Sequence, residues 1–336
     1  MNVNICTKIN ENRILQPLFK LNFYKMNLLP KFLFFLTLIV ISVGCRQDEP
    51  EAPIQLRSYL EVYNEDITEI EDFMGSHFIT VDADYNVTFT KITAATPGTP
   101  IFDALDTSLN QNNPAKPLKF KTISKEGVDH KLYFLKLNEG AGDNPTKLDS
   151  VFTSYKGYKT DLTVFDAASS PVWFELQDLV QGWQEVFPEF KSAGIQSLNP
   201  DGTPGFSNFG AGIMFIPSGL AYFNQNGGTI GSYNPIIFSF KLISVRYKDH
   251  DGDKILSKDE YGGPTSNAPL DTDGDGKPDY ADFDDDNDGK LTKNELSEVV
   301  PAIMKVNGYY NFNQIPDCSG NRPPVSKRKH LSTSCQ

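Results

Sequence analysis

Between Asp271 and Glu295 the chain reads DTDGDGKPDYADFDDDNDGKLTKNE, ten carboxylates in twenty-five residues. Charges this dense repel one another and cannot be buried unpaired, so the stretch is either a solvated linker or a set of ligands for a cation. Spacing separates the two. A calcium loop places carboxylates at positions 1, 3 and 5, glycine at 6, an apolar residue at 8 and glutamate at 12. DDDNDGKLTKNE meets that template with Asp284, Asp286, Asp288 and Glu295 as side-chain ligands, the Lys290 carbonyl as a further ligand, Gly289 in the turn and Leu291 as packing anchor. Upstream, DHDGDKILSKDE repeats it with Asp249, Asp251, Asp253 and Glu260, but Lys254 stands where the glycine belongs, which predicts weaker binding at this loop. Ca2+ is therefore expected as a structural cofactor, and the loops are expected to fold only with it.

Between these two loops the rhythm DTDGDGKPDYADFD resembles thrombospondin type 3 repeats, in which tandem aspartates wrap calcium with little secondary structure. The resemblance implies Asp271, Asp273, Asp275, Asp279 and Asp282 as ligands. Random acidity would not keep glycine and the terminal glutamate in register, which argues against the solvated linker. TKNELSEVVPAIMKV supplies a candidate helix leaving the third loop.

The same residues dominate the charge balance. Residues 249–295 carry fifteen carboxylates against five lysines, ten of the twelve net negative charges of the chain. An acidic chain with no basic stripe does not bind nucleic acid through its phosphates, so that partner class is excluded. At 336 residues and 39% apolar content there is material for one or two packed domains.

The beginning of the chain reads as targeting. Lys25 and Lys31 precede an apolar run, Phe32 to Gly44, that is too short to span a bilayer, which needs roughly 20 apolar residues. Met26 is an alternative start. The run ends in SVGC, which resembles the lipobox of bacterial lipoproteins and implies lipidation of Cys45, although Ser42 stands where that family prefers leucine. An ordinary export signal is the alternative. RQDE after Cys45 resembles surface-export signals of some Gram-negative lipoproteins, so the expected location is the cell envelope, an outer-membrane lipoprotein facing the periplasm or the cell surface. With Cys6 in the signal and Cys45 lipidated, Cys318 and Cys335 remain, and an oxidising compartment favours a disulfide between them over two free thiols.

The remainder must position these groups. RQDEPEAP has the composition of a tether. LRSYLEVYNEDITEIEDFMG sets Leu60, Tyr63, Ile67, Ile70 and Met74 on one helical face, either a core face or a dimer seam. Residues 78–120 read as an irregular β-rich extension. Beyond Val128, the segments KLYFLKL, DSVFTSYKGY, PVWFEL, GIMFIP and IIFSFKLISV read as strands, and only VQGWQEVFPEF has helical character. A sheet folded around one short helix is an α+β arrangement.

The ordered set YKGYKTDLTVFD, LVQGWQEVFPEFKSAG, IPSGLAY and NPIIFSFKLISV resembles FKBP-type peptidyl-prolyl cis-trans isomerases over about residues 128–247, and NEGAGDNPTKLDSV resembles the family's first sheet strands. The resemblance implies an antiparallel sheet wrapped around the helix. It also implies an aromatic pocket of Tyr155, Phe165 and Asp166, with Leu179 and Val180 at its edge and Trp183 as floor. The Tyr222 hydroxyl would bond a substrate carbonyl, and Ile230 and Phe238 would close the far wall. Val172 stands where the family often has an aromatic, and IQSLNPDGTPGFSNFGAG is longer than the usual helix-to-strand link. Without the resemblance, the same rings read as core residues of a small sheet.

Rotation about an X-Pro amide crosses a barrier of roughly 18–20 kcal/mol without acid, base or nucleophile. An apolar cavity favours the less dipolar twisted amide, so no catalytic cofactor is needed. The expected organisation is a signal at 1–44, a lipidated tether at 45–55, a helical and β-rich extension at 56–127 and an isomerase domain at 128–247. Calcium loops at 248–306 and a tail at 307–336 follow. The expected partners are proline-containing client polypeptides and, through the lipid, a membrane. The alternative is a calcium-dependent binding or scaffold lipoprotein whose isomerase fold does not catalyse.

Overall fold

The computed structural model describes residues 56–334 apart from 109–110, 114, 199–201, 203, 226–227, 262–268, 300–304 and 322–327. Residues 56–336 form one compact unit. The export signal, Cys6, Cys45, the tether and Cys335 lie outside the described residues. Among the described residues no helix is long and apolar enough to cross a membrane.

The fold is α+β, built on one antiparallel sheet. Its strands are β3 (Leu118–Lys125), β4 (Val128–Asn138), β5 (Ser150–Lys159), β6 (Val164–Glu175), β9 (Gly210–Ile216) and β10 (Ile236–Arg246), in the order β3-β4-β9-β10-β5-β6. β3, which lies before residue 128, pairs with β4 from Leu118↔Leu135 to Lys125↔Val128. The turn between them uses positive φ at Glu126 and Gly127. Two small hairpins flank the sheet, β1 (His77–Val81) with β2 (Val87–Lys91) and β7 (Ile195–Leu198) with β8 (Pro204–Ser207). The latter occupies the long link singled out in the sequence. NEGAGDNPTKLDSV is mostly the loop between β4 and β5 rather than strand, because its glycines at 140 and 142 turn the chain against the backbone of Lys191–Ala193.

Strand alternation divides the core between the two faces of the sheet. Leu132 and Phe134, Met214 and Ile216, and Ile236, Phe238, Phe240 and Leu242 face one side with helix α2 (Gln181–Val186). Tyr133 and Leu135, Ile213 and Phe215, and Ile237 face the other, covered by helix α1 (Tyr59–Ser76) and β2. With both faces covered, the central strands read as apolar runs instead of an alternation, and β9 is buried throughout. Removing roughly 25 cal/mol per Å² of apolar surface from water on each face is what holds α1 and α2 to the sheet.

Ser58 caps α1 by accepting a hydrogen bond from Glu61 N. Its buried stripe is Val62, Asp66, Ile70, Phe73 and Met74, and Leu60 is turned out at 58% exposure. The expected apolar face is thus rotated, because a charged residue takes the middle of it. The Asp66 carboxylate accepts from both Ser218 N and Ser218 Oγ at 2.7 Å. Tyr63 packs edge-on to His130, with the ring centroids 4.8 Å apart. The helix therefore faces the protein's own core, and it clamps the turn Ser218–Leu220 that leads to Tyr222.

Burial raises the Asp66 carboxyl from its ordinary 3.8 to about 6, against the two Ser218 hydrogen bonds that act the other way. A carboxyl raised on folding contributes its stability fully below its unfolded pKa and loses it as pH climbs through the folded value. Asp66→Asn is expected to gain on the wild type by about 2 kcal/mol between pH 4 and pH 6, read as the difference in urea unfolding free energy. Parallel pH curves for the two proteins would show that Asp66 does not titrate on folding.

Candidate functional site

The aromatic site is assembled where α2 crosses the sheet beneath β5, β6 and β10. Phe238 is its centre. Its ring meets Tyr155 at 5.9 Å, Phe165 at 5.4 Å and Trp183 at 5.1 Å, all edge to face. Such contacts add about 0.5–1.5 kcal/mol each beyond the area they bury. Tyr155 meets Trp183 at 5.2 Å, and Trp183 lies stacked on Phe187 at 4.9 Å. Leu179, Val180, Tyr222 and Ile230 pack against the same cluster.

Two participants were not singled out in the sequence. Phe174 packs edge-on to Tyr155 and Trp183, at 5.8 and 6.0 Å. A Cβ at Gly157 would stand 2.7 Å from both the Phe165 and Phe238 rings, so only glycine lets that pair close over β5. YKGYK carries the signal for Gly157, a glycine inside a strand marking close approach.

A recess of about 290 Å³ opens beside these rings, lined by Phe165, Tyr222, Gln225, Gly228, Thr229 and Ile230. Trp183 does not line it. It is 4% exposed, beneath Tyr155, Phe174 and Phe238. Asp166, expected in the pocket, is exposed, because it sits on the edge strand β6; its Oδ2 accepts from the Tyr155 hydroxyl at 2.7 Å. Burial, with the Asp166 bond added, pushes the Tyr155 phenol well up. Burial, then the Asp166 charge, raises Tyr222. Both hydroxyls stay protonated at neutral pH; the Tyr155 proton is given to Asp166, and the Tyr222 hydroxyl can donate to a carbonyl. Val172 lies exposed on β6, where its neighbour Trp173 stacks on Phe152 under Arg246, whose guanidinium is 4.4 Å from the indole.

The acidic module begins where β10 ends. Lys248 anchors it, its N donating to Asp149 at 3.1 Å and its Nζ pairing with Glu175 at 2.5 Å. In the first loop Gly252 N donates to Asp249 and Ile255 N to Asp253. In the second, Gly274 N and Gly276 N donate to Asp271; in the third, Gly289 N donates to Asp284 and Lys290 N to Asp288. The same turn recurs three times, and Lys254 adopts the left-handed φ of 84° that glycine was expected to supply.

Carboxylate oxygens converge within 4.8 Å in the sets Asp249–Asp251–Asp253, Asp271–Asp273–Asp275 and Asp284–Asp286–Asp288, the spread of ligands around one hard cation. Asp279 and Asp282 stand apart from the middle set. Asp279 accepts from Thr272 N and Oγ1 at 2.7 Å, and Asp282 faces Lys277 at 3.3 Å. Glu260 and Glu295 are buried with both oxygens unpartnered, as are single oxygens of Asp251, Asp253, Asp284, Asp286 and Asp288. Burial and neighbouring carboxylates push Glu295 up to about 8 and raise Glu260, Asp251 and Asp253. Buried acceptors without donors fit a cation and not a solvated linker.

Leu291, the expected anchor, is 47% exposed. The module's small core is Ile255, Leu296, Tyr310 and Ile315, with Leu296 on helix α3 (Thr292–Val299) and Tyr310 in the hairpin of β11 (Lys305–Val306) and β12 (Tyr309–Tyr310). Tyr310 N donates to Lys254 O at 2.7 Å, so the tail packs onto the first loop. The apolar contact falls at position 7 of the first loop and after position 12 of the third, since the two loops do not pair through position 8. Cys318 is disulfide-bonded.

Residues 243–325 match the family model described as BamM C-terminal. A probable FKBP-type peptidyl-prolyl cis-trans isomerase, FkpA, of Neisseria meningitidis is 35% identical over 32% of this chain and 35% of its own length. The FkpA isomerase of Aeromonas hydrophila is 32% identical over 38% and 44%, and a 22 kDa FKBP-type isomerase of Escherichia coli is 28% identical over 43% and 66%. The chain thus spans less than half the length of the first two curated relatives it matches. Among solved structures, Escherichia coli FkpA aligns over 38% of this chain and 51% of its own at 25% identity and a TM-score of 0.30. A Pseudomonas syringae peptidyl-prolyl isomerase aligns over 38% and 80%, at 24% identity and a TM-score of 0.29. About a third of this chain is therefore similar in sequence to FKBP-type peptidyl-prolyl cis-trans isomerases.

Proposed function

We propose that the protein is an FKBP-type peptidyl-prolyl cis-trans isomerase that assists slow X-Pro steps in the folding of exported or envelope proteins. The supporting observation is the ring set Tyr155, Phe165, Trp183 and Phe238 closed around one centre, with Tyr222 at the mouth of an adjoining recess. In this reading the prolyl ring of a client enters beside Phe165 and Ile230. Tyr222, protonated, is the donor available to the carbonyl before proline, while Tyr155 donates to Asp166 beside it. The apolar walls disfavour the planar, more dipolar amide relative to the twisted one, and no cofactor takes part. The chain is held to a membrane through lipid on Cys45, and the acidic module binds Ca2+ as a structural ion.

A second reading is favoured by the position of Trp183 beneath its neighbours: a shallow recess suits a calcium-stabilised scaffold that binds peptides without turning them over. An isomerisation assay on a proline tetrapeptide separates the two. Tyr222→Phe is expected to lower kcat/KM about threefold to tenfold, the worth of one hydrogen bond, with unchanged unfolding. Trp183→Ala is expected to lower activity and stability together, by roughly 3–5 kcal/mol of the latter. A wild-type protein silent on every X-Pro peptide would leave the scaffold reading.

The calcium ligands lie beyond β10, and none of them lines the recess. EDTA is therefore expected to open new protease sites only beyond about residue 247, while most of the turnover survives. Loss of nearly all turnover, restored by Ca2+, would instead make the ion a gate for the enzyme.

A further inference from the structure

The third loop contains a carboxylate that the loop template leaves unassigned. Asp285 occupies position 2, between the ligands Asp284 and Asp286. Asn287 N donates to Asp284 O at 3.0 Å to close a turn, and the carboxylates gathered there are those of Asp284, Asp286 and Asp288, not that of Asp285. Thr292 holds it there, its Oγ1 accepting from Asp285 N at 3.2 Å. The direction it takes is toward the first loop. Its carboxylate oxygen converges with those of Asp251 and Glu260 within 4.8 Å.

We infer that Asp285 completes the first loop's cation site, so that Asp251, Glu260 and Asp285 bind one divalent cation of the calcium class shared between the first and third loops. Both Asp285 and Glu260 are 2% exposed, and none of their four carboxylate oxygens has a hydrogen-bond partner. No ion pair among the described residues reaches either one. Oxygen ligands at roughly 2.3–2.6 Å from an ion lie at most about 5 Å apart, which matches the observed spread. Buried carboxylates with neither a donor nor a counter-charge are too costly to keep unless a cation joins them.

The shared site reverses one expectation. Lys254 in place of glycine predicts the weaker affinity from sequence alone, and its φ of 84° strains the first loop. A further full carboxylate supplied from the third loop offsets that strain, because calcium affinity rises with ligand charge. It also ties residues 249–260 to residues 284–295, so the acidic stretch binds as one unit rather than as beads on a string.

This inference rests on the reading of the module as calcium-binding, and the test separates the two. Bound Ca2+ is counted by native mass spectrometry and titrated by calorimetry for the full chain and for Asp285→Asn, Glu260→Gln, Asp288→Asn, the double variant of the first two, and Glu260→Gln combined with Asp288→Asn. With a shared ion, Asp285→Asn and Glu260→Gln each weaken the same binding event about tenfold or more, and the double variant loses no further ion. Glu260→Gln combined with Asp288→Asn loses two. At saturating Ca2+, Asp285→Asn is also expected to recover the wild-type protease resistance of residues 249–260 and 284–295 while its Ca2+ affinity stays lower. A merely misfolded variant would not recover that resistance. Wild-type affinity in Asp285→Asn, or additive ion loss with Glu260→Gln, overturns the shared site while leaving the calcium reading intact. A wild-type chain that binds no Ca2+ overturns both.

Discussion

Strand β10 carries the constraint on which the rest depends. It lies between β9 and β5, and its alternation sends Ile236, Phe238, Phe240 and Leu242 to one face while Ile237 goes to the other. A slip of one residue would exchange the faces and remove Phe238 from the ring cluster. Two ladders hold the register, Phe238↔Gly157 on one side and Phe238↔Met214 on the other. The glycine opposite Phe238 is what lets Phe165 reach across, so register and ring packing are one requirement.

The opposite face of the sheet bears on the site as well. Helix α1 buries an aspartate to hold the turn at Ser218, and that turn leads directly to Tyr222. A buried carboxylate costs stability on its own, and here it is satisfied by a backbone N–H and a hydroxyl without any cation. The segment before the sheet is thereby coupled to the mouth of the recess, not merely appended to it. β3 extends the coupling, since it supplies the sheet's edge from the same part of the chain.

Electrostatics governs the acidic module as packing governs the sheet. Its apolar core of Ile255, Leu296, Tyr310 and Ile315 is small, and among the described residues most of its buried side-chain atoms without a partner are carboxylate oxygens. Hydrophobic burial of this size is small against the repulsion among them, and in the proposed reading cation binding supplies what the module needs to fold. Lys248, held between Asp149 and Glu175, passes that order on to the ends of β5 and β6.

The α+β class, the short helix with Trp183, most of the sheet strands and the repeated acidic loops were all legible in the sequence, because each depends on local period or spacing. Five features were not. The face of α1 turned on Asp66, since an apolar-only stripe cannot foresee an aspartate matched to a turn far along the chain. Leu291 stayed exposed because the loops meet through Ile255 and Leu296. Trp183 sank beneath its neighbours, and Asp166 rose to the surface with the edge strand. Asp285, at a position the loop template leaves free, met the first loop only when the chain folded back. Periodicity reports what a residue does relative to its neighbours in sequence; which distant groups share a burial site is set by the closure of loops, and that is decided in three dimensions.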